Sequence, residues 1–308
     1  SSRFGLGSFK ALGGTYGVLK FIHHALKKEI GDEVSMKDIH AGKYSEQISK
    51  YTVTTATDGN HGRSVAFGAK LFGCKCQIYI HSEVSSGRQK AMEDLEATVN
   101  RVSGNYDESL QICIEDAGKN NWYVISDTSY EGYTKYPRYI MAGYNVMAEE
   151  IIDQIKDRPL PTHVFLQGGV GSFPGAICGY FWEKFPGNNI KFVVVESEHA
   201  PCLIRSAQNN QMTSVNIKQE TMMAGLSCGE PSLLGWEILK SGADDFITIN
   251  DSSIPGLMRL LAENNLKIEA GESSVAGLAG LIESMEDQKI AEAMELDKES
   301  IVLLFGTE

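Results

Sequence analysis

Short runs of apolar and β-branched residues recur along the chain at 52–56, 77–80, 122–125, 163–166, 192–195, 246–249 and 301–305. Continuous runs of this length predict strands buried on both faces. Between them apolar residues return at helical spacing. Over 61–73, for example, Val65, Ala66, Ala69 and Phe72 form one stripe. Strands alternating with helices predict βαβ units, and therefore an α/β protein with parallel sheets. At 308 residues the chain exceeds what one core comfortably supports, so two domains are expected. No repeat, low-complexity tract or Pro-rich linker interrupts the pattern.

Composition narrows the function classes. Hydrophobic residues at 42% and charged residues at 22% are those of an ordinary globular protein, and no apolar run approaches the length of a membrane span. A net charge of −12, unrelieved by any basic block, excludes a nucleic-acid surface. The six cysteines (74, 76, 113, 178, 202 and 228) include no pair of zinc-knuckle spacing, so no metal site is expected. They read as reduced thiols of a cytoplasmic protein, with a Cys202–Cys228 bridge as the minority alternative. The chain starts Ser1-Ser2-Arg3 and stops at Gly306-Thr307-Glu308, and both ends read as cut from a longer chain.

In open α/β sheets ligands bind beyond the carboxyl ends of strands, and three loops carry unusual chemistry. After 163–166 comes Gln167-Gly168-Gly169-Val170-Gly171-Ser172 and then a helical segment. Glycines let main-chain N–H groups converge on an anion at a helix start. A small phosphate is the functional reading and a tight turn the plain one, since neither a Walker loop nor a dinucleotide fingerprint is complete. After 52–56 comes Thr57-Asp58-Gly59-Asn60-His61-Gly62, crowded with donors suited to a carboxylate. An N-cap needs fewer such residues. Near the N-terminus, Gly7-Ser8-Phe9-Lys10-Ala11-Leu12-Gly13-Gly14 opens a helix. A lysine in apolar surroundings is an amine nucleophile for a carbonyl.

An amine, a phosphate cradle and a carboxylate cradle together describe pyridoxal phosphate bound to an amino acid. With the strings above, Asp127-Thr128-Ser129-Tyr130-Glu131-Gly132-Tyr133-Thr134-Lys135, Ala224-Gly225-Leu226-Ser227-Cys228-Gly229-Glu230-Pro231 and Ala270-Gly271-Glu272-Ser273, the chain resembles the tryptophan-synthase-β-like (fold type II) pyridoxal-phosphate enzymes over its whole length. Within them it is similar to members that eliminate ammonia from 2,3-diaminopropionate. The resemblance implies two open, twisted, mainly parallel sheets flanked by helices, with the active site between domains. It places 1–44 and 151–308 in a large cofactor-binding domain and 45–150 in a small substrate-binding one.

The same resemblance implies that Lys10 carries the cofactor as a Schiff base, and that Gly168, Gly169, Val170, Gly171 and Ser172 hold its phosphate. Asn60 would bond the ring hydroxyl oxygen, while Thr57, Gly59 and His61 surround the substrate carboxylate. Thr307 stands where relatives often place a Ser against the pyridine nitrogen. Asp58 and Asp127 are the candidate acid–base residues; Asp127 also reads as a turn Asp. Asp58, where dehydratase and synthase relatives carry Ser or Thr, is assigned to the D-isomer, and Asp127 to the L-isomer or the β-ammonium. A homodimer acting on a small amino acid follows from the same resemblance. Serine/threonine dehydratase, β-replacing synthase and non-catalytic amino-acid sensor remain alternatives.

Overall fold

A computed structural model describes residues 2–31, 33–57, 59–265 and 267–308. The candidate Asp58 therefore lies outside the described residues. In chain order the elements are α1 (Lys10–Ile30), α2 (Met36–His40), α3 (Ser45–Ile48), β1 (Thr52–Ala56), α4 (Asn60–Phe72), β2 (Lys75–Ile80), α5 (Ser86–Glu93), β3 (Thr98–Arg101), α6 (Tyr106–Asn120), β4 (Tyr123–Val124) and α7 (Lys135–Ile155). They continue as β5 (His163–Gln167), α8 (Ser172–Lys184), β6 (Lys191–Ser197), α9 (Cys202–Asn209), α10 (Leu233–Gly242), β7 (Asp245–Ile249), α11 (Ile254–Glu263), α12 (Ala276–Glu286), α13 (Gln288–Met294) and β8 (Val302–Leu303). Two compact units result. The first holds residues 1–127 and 133–143, the second 128–132 and 144–308.

The first unit contains a four-stranded sheet in the order β3-β2-β1-β4, parallel throughout its described pairings. Every residue of the central strand β1 is buried, which explains its unbroken β-branched sequence. The edge strand β3 was not predicted, because Thr98–Arg101 is exposed at both ends and carries one apolar residue. Helix α1 lies against α4 through small side chains. A Cβ on Gly14 would lie 2.3 Å from Ser64 Oγ, and one on Gly68 3.0 Å from the Thr15 backbone. This close approach groups residues 1–44 with the first sheet, although the expected domain division put them with 151–308.

The second unit contains the other sheet, β7-β6-β5-β8, again parallel. Val193 and Val195 of β6 and Phe165 of β5 form its core with Val275, Ala276 and Ala279. Here too small residues allow close packing: a Cβ on Gly280 would lie 2.8 Å from Val195 Cγ2. With β5 between β6 and β8, the loop after β5 is flanked by the carboxyl ends of both neighbours. In the first unit β1 is likewise bordered by β4, and the segments after these two strands meet where His61 bonds the Ile125 carbonyl.

Candidate active site

In the first unit the chemistry is made by ionisable side chains. Lys10 is the first residue of α1, and its carbonyl accepts the Ser64 hydroxyl at 2.7 Å, which pins the helix start to α4. Its ammonium forms an ion pair with Asp127, three residues past the end of β4, and lies 5.7 Å from the Phe9 ring centroid. The expected apolar surroundings of Lys10 are thus half the picture, because a carboxylate faces it. That partner lies 117 residues away in sequence, and no local pattern announces the pair.

His61 stands beside this pair. Its Nε2 donates to the Ile125 carbonyl at 2.8 Å, which fixes the tautomer. Nδ1 is 3.7 Å from Asp127 Oδ2 and makes no hydrogen bond. Burial pushes the imidazole below its ordinary value, more than Asp127 pulls it up, so His61 is neutral at pH 7. Burial pushes Asp127 up, but the Lys10 charge and the Lys10 hydrogen bond hold it well below the carboxylate range. With His61 neutral, the counter-charge is that of Lys10.

Thr57 shapes the turn into α4. Its Oγ1 accepts the N–H groups of Gly59 and Gly62, both at 3.0 Å, and a Cβ on Gly62 would lie 2.3 Å from Thr57 Cγ2. Gly59 precedes α4, and Asn60 and His61 are its first residues. The His61 ring is engaged by Ile125 and Asp127, on the side of the Lys10 pair.

In the second unit the chemistry is made by backbone. Gly168-Gly169-Val170-Gly171 leads from β5 into α8, with φ of +57° at Gly169 and +94° at Gly171, both in the region that favours glycine. The Gly168 N–H donates to the Val195 carbonyl and the Gly171 N–H to the Gly168 carbonyl. Those of Gly169 and Val170 make no hydrogen bond to any described residue. They are the donors left for an anion at the start of α8, whose dipole favours negative charge. Side chains would fill this cradle: a Cβ on Gly169 would lie 3.1 Å from the Gly225 carbonyl, and one on Gly168 2.7 Å from Glu196 Cγ. The arrangement fits a small phosphate.

Around the loop sit residues that the sequence singled out without assigning a role. The Ser273 hydroxyl accepts the Gly225 N–H at 3.1 Å, and Glu308 receives the N–H groups of Gly271 and Ser273. The strings 224–231 and 270–273 and the chain end thus converge, with Thr307 buried among them. Gln167 donates to the Phe305 and Ser274 carbonyls. Ser232 donates its N–H to the Val170 carbonyl. The buried Glu196 carboxylate accepts the N–H groups of Leu203 and Ile204 at the start of α9; burial outweighs those bonds and pushes its carboxyl up to about 7. Cys202 and Cys228 are free thiols, and no metal-binding cluster occurs among the described residues.

Two parallel α/β sheets, a lysine at the first helix and a glycine cradle define the class of pyridoxal-phosphate enzymes. The profile "Pyridoxal-phosphate dependent enzyme" matches residues 3–306, and the chain belongs to that family. It is 36% identical to the diaminopropionate ammonia-lyase of Escherichia coli (strain K12), over all of this chain and 78% of that protein. A crystal structure of the Escherichia coli enzyme with an aminoacrylate–PLP azomethine reaction intermediate superposes with a TM-score of 0.88, at 35% identity, over all of this chain and 78% of that one. The same enzyme in complex with D-serine superposes at 0.87 and 35% identity, over 99% of this chain and 77% of that one.

Proposed function

We propose that the protein eliminates ammonia from 2,3-diaminopropionate, giving pyruvate and two ammonia with the uptake of one water. The observation that carries this reading is the Lys10–Asp127 pair at the start of α1, in a chain 36% identical to an enzyme of that activity. When bound, pyridoxal phosphate supplies an electron sink for the charge left at Cα. Lys10 would hold it through its amine and the Gly169 and Val170 N–H groups would hold its phosphate, while Asn60 and Thr307 are the candidates for its ring hydroxyl oxygen and pyridine nitrogen. The Thr57–His61 turn receives the substrate carboxylate.

The remaining work is proton transfer. Lys10 serves Cα from one side. Asp127 accepts the proton shed by Lys10 and serves the L-isomer or the β-ammonium. While Lys10 is charged, Asp127 is held low; without that charge burial weighs more and moves the carboxyl up. Asp58 serves the D-isomer. Two carboxylates favour a substrate with a second cationic group, which Ser or Thr at position 58 would not do. A cytoplasmic homodimer is the proposed working form; the six free thiols support a reducing compartment.

Incubating purified protein with each isomer tests the reading. Two ammonia per pyruvate are expected from diaminopropionate. One ammonia per pyruvate from serine, with diaminopropionate inert, would make it a dehydratase, and no turnover of either a sensor.

A further inference from the structure

The turn after β1 has fewer main-chain donors than its sequence promises. Thr57 Oγ1 takes the N–H groups of Gly59 and Gly62, so neither faces an incoming carboxylate. A cation lies over this turn. Arg88, in the first turn of α5, has its N–H held by the N-cap Ser85, and its side chain reaches back across Gly59. A Cβ on Gly59 would lie 3.2 Å from Arg88 Cδ and 3.6 Å from Nε. Glycine at 59 leaves room for the arginine stem to rest on the backbone.

Among the described residues the Arg88 side chain has neither an ion pair nor a hydrogen bond. Nearby surface cations on the same unit differ: Lys70 pairs with Glu96 and Lys90 with Asp94. Arg88 is half-buried and thus gives up part of its hydration without a compensating anion among the described residues, an arrangement that leaves the guanidinium available to a ligand carboxylate. Its planar fork suits a carboxylate in bidentate geometry, which a lysine ammonium cannot reproduce.

We infer that Arg88 is a substrate-binding residue: its guanidinium, laid over Gly59 and unpaired among the described residues, takes the α-carboxylate of the amino acid held at the start of α4. The inference rests on the reading of that turn as the carboxylate site. Arg88 then discriminates α-amino acids from simple amines and contributes binding rather than proton transfer.

The test uses holoenzyme and two probes that differ only by a carboxylate. Glycine and methylamine are titrated against the visible cofactor band of the unmodified enzyme, Arg88→Ala, Arg88→Gln and Arg88→Lys. Loss of a charge-assisted bond should weaken glycine about tenfold or more in the Ala and Gln variants, with Lys intermediate and methylamine unchanged. The KM for diaminopropionate should rise by a similar factor while kcat stays within about twofold. The thermal midpoint should hold, since no described hydrogen bond or ion pair is lost. Unchanged glycine affinity, or equal weakening of both probes, would overturn the assignment. Should diaminopropionate release no ammonia in the unmodified enzyme, the substrate reading fails, while the glycine–methylamine difference still decides the role of Arg88.

Discussion

The two units bind with different materials. In the first, the candidate groups are the side chains of Lys10, Asp127 and His61, with burial and neighbouring charge shifting the titration of His61 and Asp127. In the second, they are peptide groups, with glycines making room and α8 supplying the dipole. The contrast matches the tasks. A phosphate is a fixed anion that needs only donors, whereas proton transfer needs groups that change charge during the reaction. Substitutions in the first unit should therefore alter turnover, and those in the second cofactor affinity.

The largest effect belongs to Lys10→Ala, which should cut turnover by more than about a thousandfold and abolish the visible cofactor band. The Lys10 carbonyl bond to Ser64 is kept, so circular dichroism should be unchanged. Next is Asp127→Asn, expected to slow the L-isomer about a hundred- to ten-thousandfold with a smaller change in KM. Asp58→Asn sharpens the comparison within one unit: it should slow the D-isomer far more than the L-isomer. Equal losses for both isomers would leave Asp58 a binding residue.

A smaller effect of the opposite kind is expected from Gly171→Val. The φ of +94° and the 3.1 Å approach to Leu203 put a β-branched residue under strain of roughly 1–2 kcal/mol. Cofactor affinity should fall about tenfold or more, with turnover at saturating cofactor little changed. A fall in turnover alone would break the division between the units. A further effect concerns stability alone. Glu196 has its carboxyl raised to about 7 from 4.5, so the folded state binds a proton that the unfolded state has lost. Its stabilisation is complete below the unfolded value and is lost as pH rises through the folded one, by up to about 3 kcal/mol. Glu196→Gln should flatten this slope in thermal melts between those limits; an unaltered slope would assign the pH dependence elsewhere.

How much of this was legible in the sequence follows the same divide. The glycine loop and the turn after β1 are contiguous strings, and their positions after strands could be read directly. The central strands were found because burial on both faces forces continuous apolar runs; the edge strand β3 was missed because it escapes that constraint. The grouping of 1–44 with the first sheet depends on Gly14 and Gly68 meeting partners distant in the chain. The Lys10–Asp127 pair and the stem of Arg88 across Gly59 are likewise tertiary facts. Gly168 and Gly171 looked like phosphate donors from sequence, yet their N–H groups close the loop itself. Only the fold shows which donors remain.

In the proposed function one amine, at the start of α1, holds the cofactor. Borohydride reduction of the holoenzyme followed by peptide mass mapping tests it most directly. A reduced cofactor adduct on Lys10, in the peptide that also contains Phe9 and Ala11, is the predicted result. An adduct on any other lysine, with Lys10 unmodified, would contradict the assignment of Lys10.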